Sequence, residues 1–133
     1  MQMRVKLMEC GKQPSGRVYS TGMMAKAAEE FMKQGLRPVY LDGAVDSVVN
    51  DLSRVAGVVN NMEMDGNTLY ADISLLGTPD GETMKAMLSE TPDSVQFGVR
   101  GTGKIIEGNA GDGFKMPPIV DEFQILSVDL MKK

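Results

Sequence analysis

The alternation of apolar and polar positions predicts most of the elements. Residues Met3 to Met8 ("MRVKLM") alternate with a period of two, the signature of a half-buried strand. The Gly/Pro/Ser stretch "GKQPSGR" then reads as a loop. From Ser20 the period changes. Met24, Ala27, Ala28 and Phe31 fall at i, i+3, i+4 and i+7, one apolar helical stripe. Ser20 or Thr21 serves as its N-cap, and Gly35 is the predicted stop. "RPVYLDGA" predicts a short strand that ends at the turn signal Asp42-Gly43. Residues 45–52 ("VDSVVNDL") fit a loop or a single helical turn. "SRVAGVVNNMEMDGNTLYADISLL" predicts a hairpin turning at Asp65–Asn67, because Asp-Gly suits the positive φ of tight turns. Its second strand sends Leu69, Ala71, Ile73 and Leu75 to one face and Tyr70, Asp72 and Ser74 to the other. "GTPDGETMKAMLSE" predicts a second helix, with Thr78 as N-cap, Pro79 at the first helical position, and Asp80 and Glu82 at the positive end of the dipole. Its buried side would be Met84, Met87 and Leu88.

After "TPD" comes "SVQFGVRGTGKI", residues 94–105. It reads as a strand running into a Gly-x-Gly turn with Arg100 just before it. "EGNAGDGF" reads as a flexible Gly-rich loop. The tail "PPIVDEFQILSVDLMKK" reads as one or two further strands, with Pro117-Pro118 setting their start. Hairpins without a βαβ rhythm point to an α+β fold: a small antiparallel β-barrel or curled sheet of about six to seven strands with two flanking helices. No internal repeat or long linker divides residues 1–133, so one domain is expected.

Composition narrows the chemistry. The 133 residues carry a net charge of −4 with few aromatics, a poor match to nucleic-acid binding. No apolar run is long enough for a membrane span, and the first residues lack the pattern of a signal peptide. The chain has no histidine, the usual general base and the commonest transition-metal ligand. A lone Cys10 without histidine builds neither a zinc site nor an activated thiolate, so it reads as a small core hydrophobe. No calcium-loop spacing appears, and no cofactor is expected. The 12 methionines read as pliable core filling.

Four stretches, in this order along the chain, resemble the prohead (capsid maturation) proteases of tailed phages, distant relatives of the herpesvirus assembly proteases. "PSGRVYSTGMMAKAAEEF" is similar to the family's Asn-Gly-Arg-x-Tyr loop and following helix, with Ser15 in place of Asn and Arg17 at the arginine. The stretch 52–88 is similar to the strand near an Arg-Val-Ser-His segment, the hairpin, and the Leu-x-Thr-Pro-x-Gly helix start. "VQFGVRGTGKI" is similar to the Ser-x-Arg-Gly-x-Gly nucleophile loop, and "VDEFQILSVDLM" to the closing strand. The resemblance spans about Met3 to Met131. It implies a protease fold whose serine position is Gly98 and whose histidine position falls at about Gly43.

Glycine can neither attack nor accept a proton, so the resemblance implies a degenerate enzyme. Ser94 stands four residues, about 13 Å, from Gly98 along a strand and would not reach the same site. No spacing supports a Ser–Lys pair through Lys104. Gly101 and Gly103 are expected to permit a tight turn of positive φ, with Arg100 pinning the loop to a carboxylate. The function implied is a non-enzymatic virion protein: a capsid decoration or structural component of the phage head, made in the bacterial host cytoplasm. Its partners would be the major capsid protein, other head proteins or further copies of itself, with neither nucleic acid nor membrane. A scaffold or assembly-cofactor role, and an active serine peptidase with a non-standard site, are the alternatives.

Overall fold

The computed structural model describes residues 1–45, 51–106 and 118–133. Eight strands form one sheet that curls into a nearly closed barrel, with two helices on its outside. The strands are β1 (Gln2–Glu9), β2 (Gly11–Lys12), β3 (Val18–Tyr19), β4 (Pro38–Leu41), β5 (Gly57–Asp65), β6 (Thr68–Leu75), β7 (Val95–Ile106) and β8 (Ile119–Lys132). The helices are α1 (Thr21–Met32) and α2 (Pro79–Glu90). The expected α+β class with a curled sheet is therefore what the chain forms. The two-residue strand β2 lies within the stretch read as loop and β3 directly follows it, both too short to show a period. The sheet is also not wholly antiparallel, since β8 pairs in parallel with both β3 and β4.

Local chemistry explains the elements. Ser20 caps α1 by accepting from the Met23 amide, and Met24, Ala27, Ala28 and Phe31 are its buried stripe. The helix stops at Met32 rather than running to Gly35. Lys33 and Gln34 donate to the carbonyls of Glu30 and Phe31, a tightened last turn that needs no left-handed glycine. Thr78 caps α2 by accepting from the Gly81 amide, with Pro79 next to it. Its core contact is narrower than expected: Met84 is buried, while Met87 and Leu88 are half-buried. In the β5–β6 hairpin Asp65 pairs with Thr68 around Gly66, whose φ is +62°. β6 alternates as its sequence requires, with Leu69, Ala71, Ile73 and Leu75 buried. Cys10 is buried in the core, where desolvation pushes its thiol pKa up.

The core fills the barrel and the seat of α1, with Phe31, Met24, Leu69, Ile73 and Val128 fully enclosed. Residues 46–50 and the Gly-rich stretch 107–114 lie outside the described residues, as does Pro117. Among the described residues no helix is long and apolar enough to cross a membrane.

Candidate functional site

The stretch 95–106 is one continuous strand, and no turn interrupts it at Gly101-Thr102-Gly103. Neither glycine has positive φ. The expectation of a Gly-x-Gly turn is thus corrected, and the reason lies across the ladder. β8 carries one extra residue opposite the Arg100/Gly101 step and another opposite the Thr102/Lys104 step, so the pairing shifts twice. Glu122, beside the second shift, has φ +51°. The Phe123 ring lies on the two glycines. A Cβ at Gly101 would overlap the Gln124 carbonyl oxygen and sit 2.6 Å from Phe123 Cζ; one at Gly103 would sit 3.1 Å from Phe123 Cδ2. Phe123 in turn meets Tyr19 edge to face, with centroids 5.5 Å apart. The motif Arg-Gly-x-Gly is here a seat for an aromatic ring on a bent ribbon.

Gly98 is buried in the middle of β7 and pairs with Asp129, and on the far side of β8 Asp129 pairs with Tyr40. Position 98 is covered by Met131, whose Cε would lie 2.8 Å from a Cβ there. Gly43 is elsewhere. It sits with φ +79° in the exposed turn after β4, three residues beyond Tyr40. The fold therefore does not bring Gly43 and Gly98 together; Tyr40 is the residue level with Gly98.

The row through Gly98 holds a buried polar cluster. Arg100 Nε donates to Ser127 Oγ at 2.9 Å and lies 3.8 Å from Asp129 Oδ2, with the two charged side chains 12% and 6% exposed. Ser127 Oγ donates to Asp129 Oδ1 at 2.6 Å. The Arg100 guanidinium stands 5.6 Å from the centroid of the buried Tyr40 ring, whose hydroxyl donates to the Asp51 carbonyl at 3.2 Å. Desolvation is the largest influence on Asp129 and raises its pKa, against the Ser127 hydrogen bond and the Arg100 charge. Desolvation likewise raises Tyr40. Arg100 thus meets a carboxylate as expected, but as a clamp between neighbouring strands and not as the pin of a loop.

A serine donating to a carboxylate has the outline of a nucleophile and its base. Ser127, however, is fully buried and Asp129 nearly so, leaving no path for a scissile bond. Ser94 is exposed at the head of β7, where its carbonyl accepts from the Lys133 amide. Lys104 lies ten residues on, roughly 33 Å along an extended strand. It is paired with Glu122 at 2.9 Å, a contact that raises its pKa and keeps it protonated, so it is no base for Ser94. Ser15 and Arg17 are exposed in the loop between β2 and β3, with the Arg17 amide donating to Ser15 Oγ. Among the described residues no group of three or more Cys, Asp or Glu could hold a metal. Sequence reasoning missed Tyr40, Ser127 and Asp129. The signal was present in "ILSVDLM", where two polar residues two apart interrupt an apolar run and so share one face.

A groove of about 870 Å³ runs beside Gly98. One wall is β7 from Gln96 to Gly101; the other is the end of β1 from Lys6 to Glu9. Gln13 to Ser15, Tyr19, Phe123 and Met131 also line it.

No protein-family model and no curated protein matches the sequence. Among solved structures, the bacteriophage T4 capsid assembly protease gp21 has a similar fold. The TM-score is 0.77 at 16% identity, and the match covers 98% of this chain and 80% of that one. The chain thus has a capsid-assembly-protease-like fold, as the resemblance implied.

Proposed function

We propose that the chain is a non-enzymatic component of a tailed-phage head, and that it serves there as a decoration or structural protein that stabilises the shell. It would be made in the host cytoplasm and would contact the major capsid protein or other head proteins. The reading rests on one observation. Gly98, at the position the resemblance assigns to the attacking serine, is a buried glycine capped by Met131, in a chain with no histidine. A hydroxyl nucleophile needs a side chain and a base within hydrogen-bond reach, and both are missing at this position. The polar groups Arg100, Ser127 and Asp129 beside it are already committed to one another, and Ser127 and Asp129 are buried. The fold likeness to a capsid assembly protease supports a head role by analogy, since fold alone does not fix function.

The test is incubation of the purified protein with the capsid and scaffold proteins of the phage that encodes it. No specific cleavage is expected from the wild type. None is expected from Gly98→Ser either, because the base is still absent and the new side chain meets Met131. Specific cleavage by the wild type, lost in Ser94→Ala or Ser127→Ala, would overturn the reading.

A further inference from the structure

We infer that the β-bulge at Leu7 is a built-in wedge that holds the barrel open along the β1–β7 seam, by putting β1 out of step with β7. This device is a property of the backbone pairing and is independent of the head reading. β1 pairs with β6 and β7 with β8. No ladder joins β1 to β7, although the two strands come within 8 Å of each other, Cα to Cα. Their relative direction follows from the pairings. β1, β6, β5 and β4 alternate in direction, β4 runs parallel to β8, and β8 runs antiparallel to β7. β1 and β7 are therefore parallel, and a parallel ladder between them would close the barrel.

In an antiparallel ladder bonded and non-bonded pairs alternate, which tells which backbone groups face the seam. On β7 the Lys133 amide donates to the Ser94 carbonyl at 2.9 Å. From that bonded pair onward, Gln96, Gly98 and Arg100 bond to β8. Val95, Phe97 and Val99 turn their N–H and C=O toward the seam, at a two-residue repeat of roughly 6.6 Å. On β1 the Leu75 amide donates to the Met1 carbonyl, and the Cys10 amide to the Asn67 carbonyl, both at 2.7 Å. Between these two bonded ends, Met3, Val5 and Met8 bond to β6, while Arg4, Lys6 and Glu9 face the seam. The alternation slips because Leu7 is an extra residue between the Lys6–Tyr70 and Met8–Leu69 pairs.

Lys6 and Glu9 are thus about 10 Å apart along β1, against the roughly 6.6 Å repeat of β7. Once Lys6 is matched, the next seam-facing group is a whole residue, about 3.3 Å, out of step, which is more than a hydrogen bond accommodates. The Glu9 carbonyl accepts instead from Gln13 Nε2 at 2.7 Å. The bulge lies within Lys6 to Glu9, the stretch of β1 that lines the groove. On the inner side nothing else keeps the strands apart: Val5 and Leu7 belong to the core, and Phe97 and Val99 pack against it.

Native-state hydrogen exchange read by NMR tests the wedge. In the wild type the Phe97 and Val99 amides should exchange at least tenfold faster than those of Gln96 and Gly98. Two deletions each remove the extra residue. Deleting Met8 keeps Leu7 in the core, and deleting Leu7 seats Met8 there, a swap of similar volume. Either should restore the two-residue rhythm and slow the Phe97 and Val99 amides at least tenfold, to the level of Gly98. Leu7→Ala keeps the bulge and should leave them fast. A folded deletion variant in which both amides stay fast would overturn the inference, as would slow exchange in the wild type. Slowing by Leu7→Ala would overturn it too, because the side chain and not the extra residue would then hold the seam. If neither deletion variant folds, the bulge is a requirement of the barrel and not a wedge in it, and the inference fails.

Discussion

Gly101→Ala distinguishes a packing role for the Arg-Gly-x-Gly stretch from a turn or oxyanion-loop role. The added Cβ overlaps the Gln124 carbonyl oxygen and approaches Phe123 Cζ to 2.6 Å. Backbone cannot step aside as a side-chain tip can, so the β7–β8 ribbon must shift. Overpacking of this kind costs roughly 1–3 kcal/mol, about 3–10 °C in Tm for a chain of this length. At Gly98 the close contacts among the described residues are Cε and Sδ of Met131, at 2.8 and 3.2 Å, the far end of a pliable side chain. Gly98→Ala should therefore cost less than about 1 kcal/mol. Gly103→Ala, with contacts of 3.1–3.2 Å to Phe123, Val120 and Asp121, should fall between the two. The assay is thermal and urea unfolding of the three variants against wild type. A largest loss at Gly98, or equal losses at all three, would rule out the packing role of Gly101. So would rescue of position 101 by Asn, the residue that tolerates positive φ, because that would indicate a turn where the chain forms a strand.

Three further outcomes follow from the same geometry. Arg100→Met leaves Asp129 buried without its countercharge and should cost about 3–5 kcal/mol. The double variant Arg100→Met/Asp129→Leu should recover much of that loss in urea unfolding, and a double variant no better than the single would count against the clamp. The raised pKa of Asp129 means the folded state binds its proton more tightly than the unfolded state does. Its contribution should therefore favour folding at low pH and decline as pH rises from the unfolded value near 3.9 through the folded value, then level off. Asp129→Asn should remove this component from the stability–pH curve, and a difference curve of opposite slope would contradict the assignment. Glu122→Gly should stabilise the protein by about 1 kcal/mol by relieving the left-handed backbone; a loss of stability would mean that side-chain contacts of Glu122 outweigh the strain.

Periodicity carried the strands and helices whose side chains alternate between core and solvent. β1, β6 and the α1 stripe were legible because each buries one regular face. Gly66 and Thr78 were legible because their chemistry is local. What the sequence did not show is set by distant partners. Gly101-Thr102-Gly103 looks like a turn, but Phe123, some twenty residues later, requires the missing side chains. The parallel pairing of β4 with β8 places Tyr40, not Gly43, level with Gly98, and no local pattern encodes that register. Ser127 and Asp129 read as strand polar residues until Arg100 is seen to bind them. Gly98 itself was identified by resemblance; its burial under Met131 is known only from the fold.

The central claim, a protease-like fold used as a structural part of the head, is tested most directly by quantitative mass spectrometry of proheads and mature particles. A structural part of the shell should be found intact in mature particles at a fixed ratio to the capsid protein. Presence in proheads alone would replace decoration with an assembly role. Absence from both would exclude a role in the head.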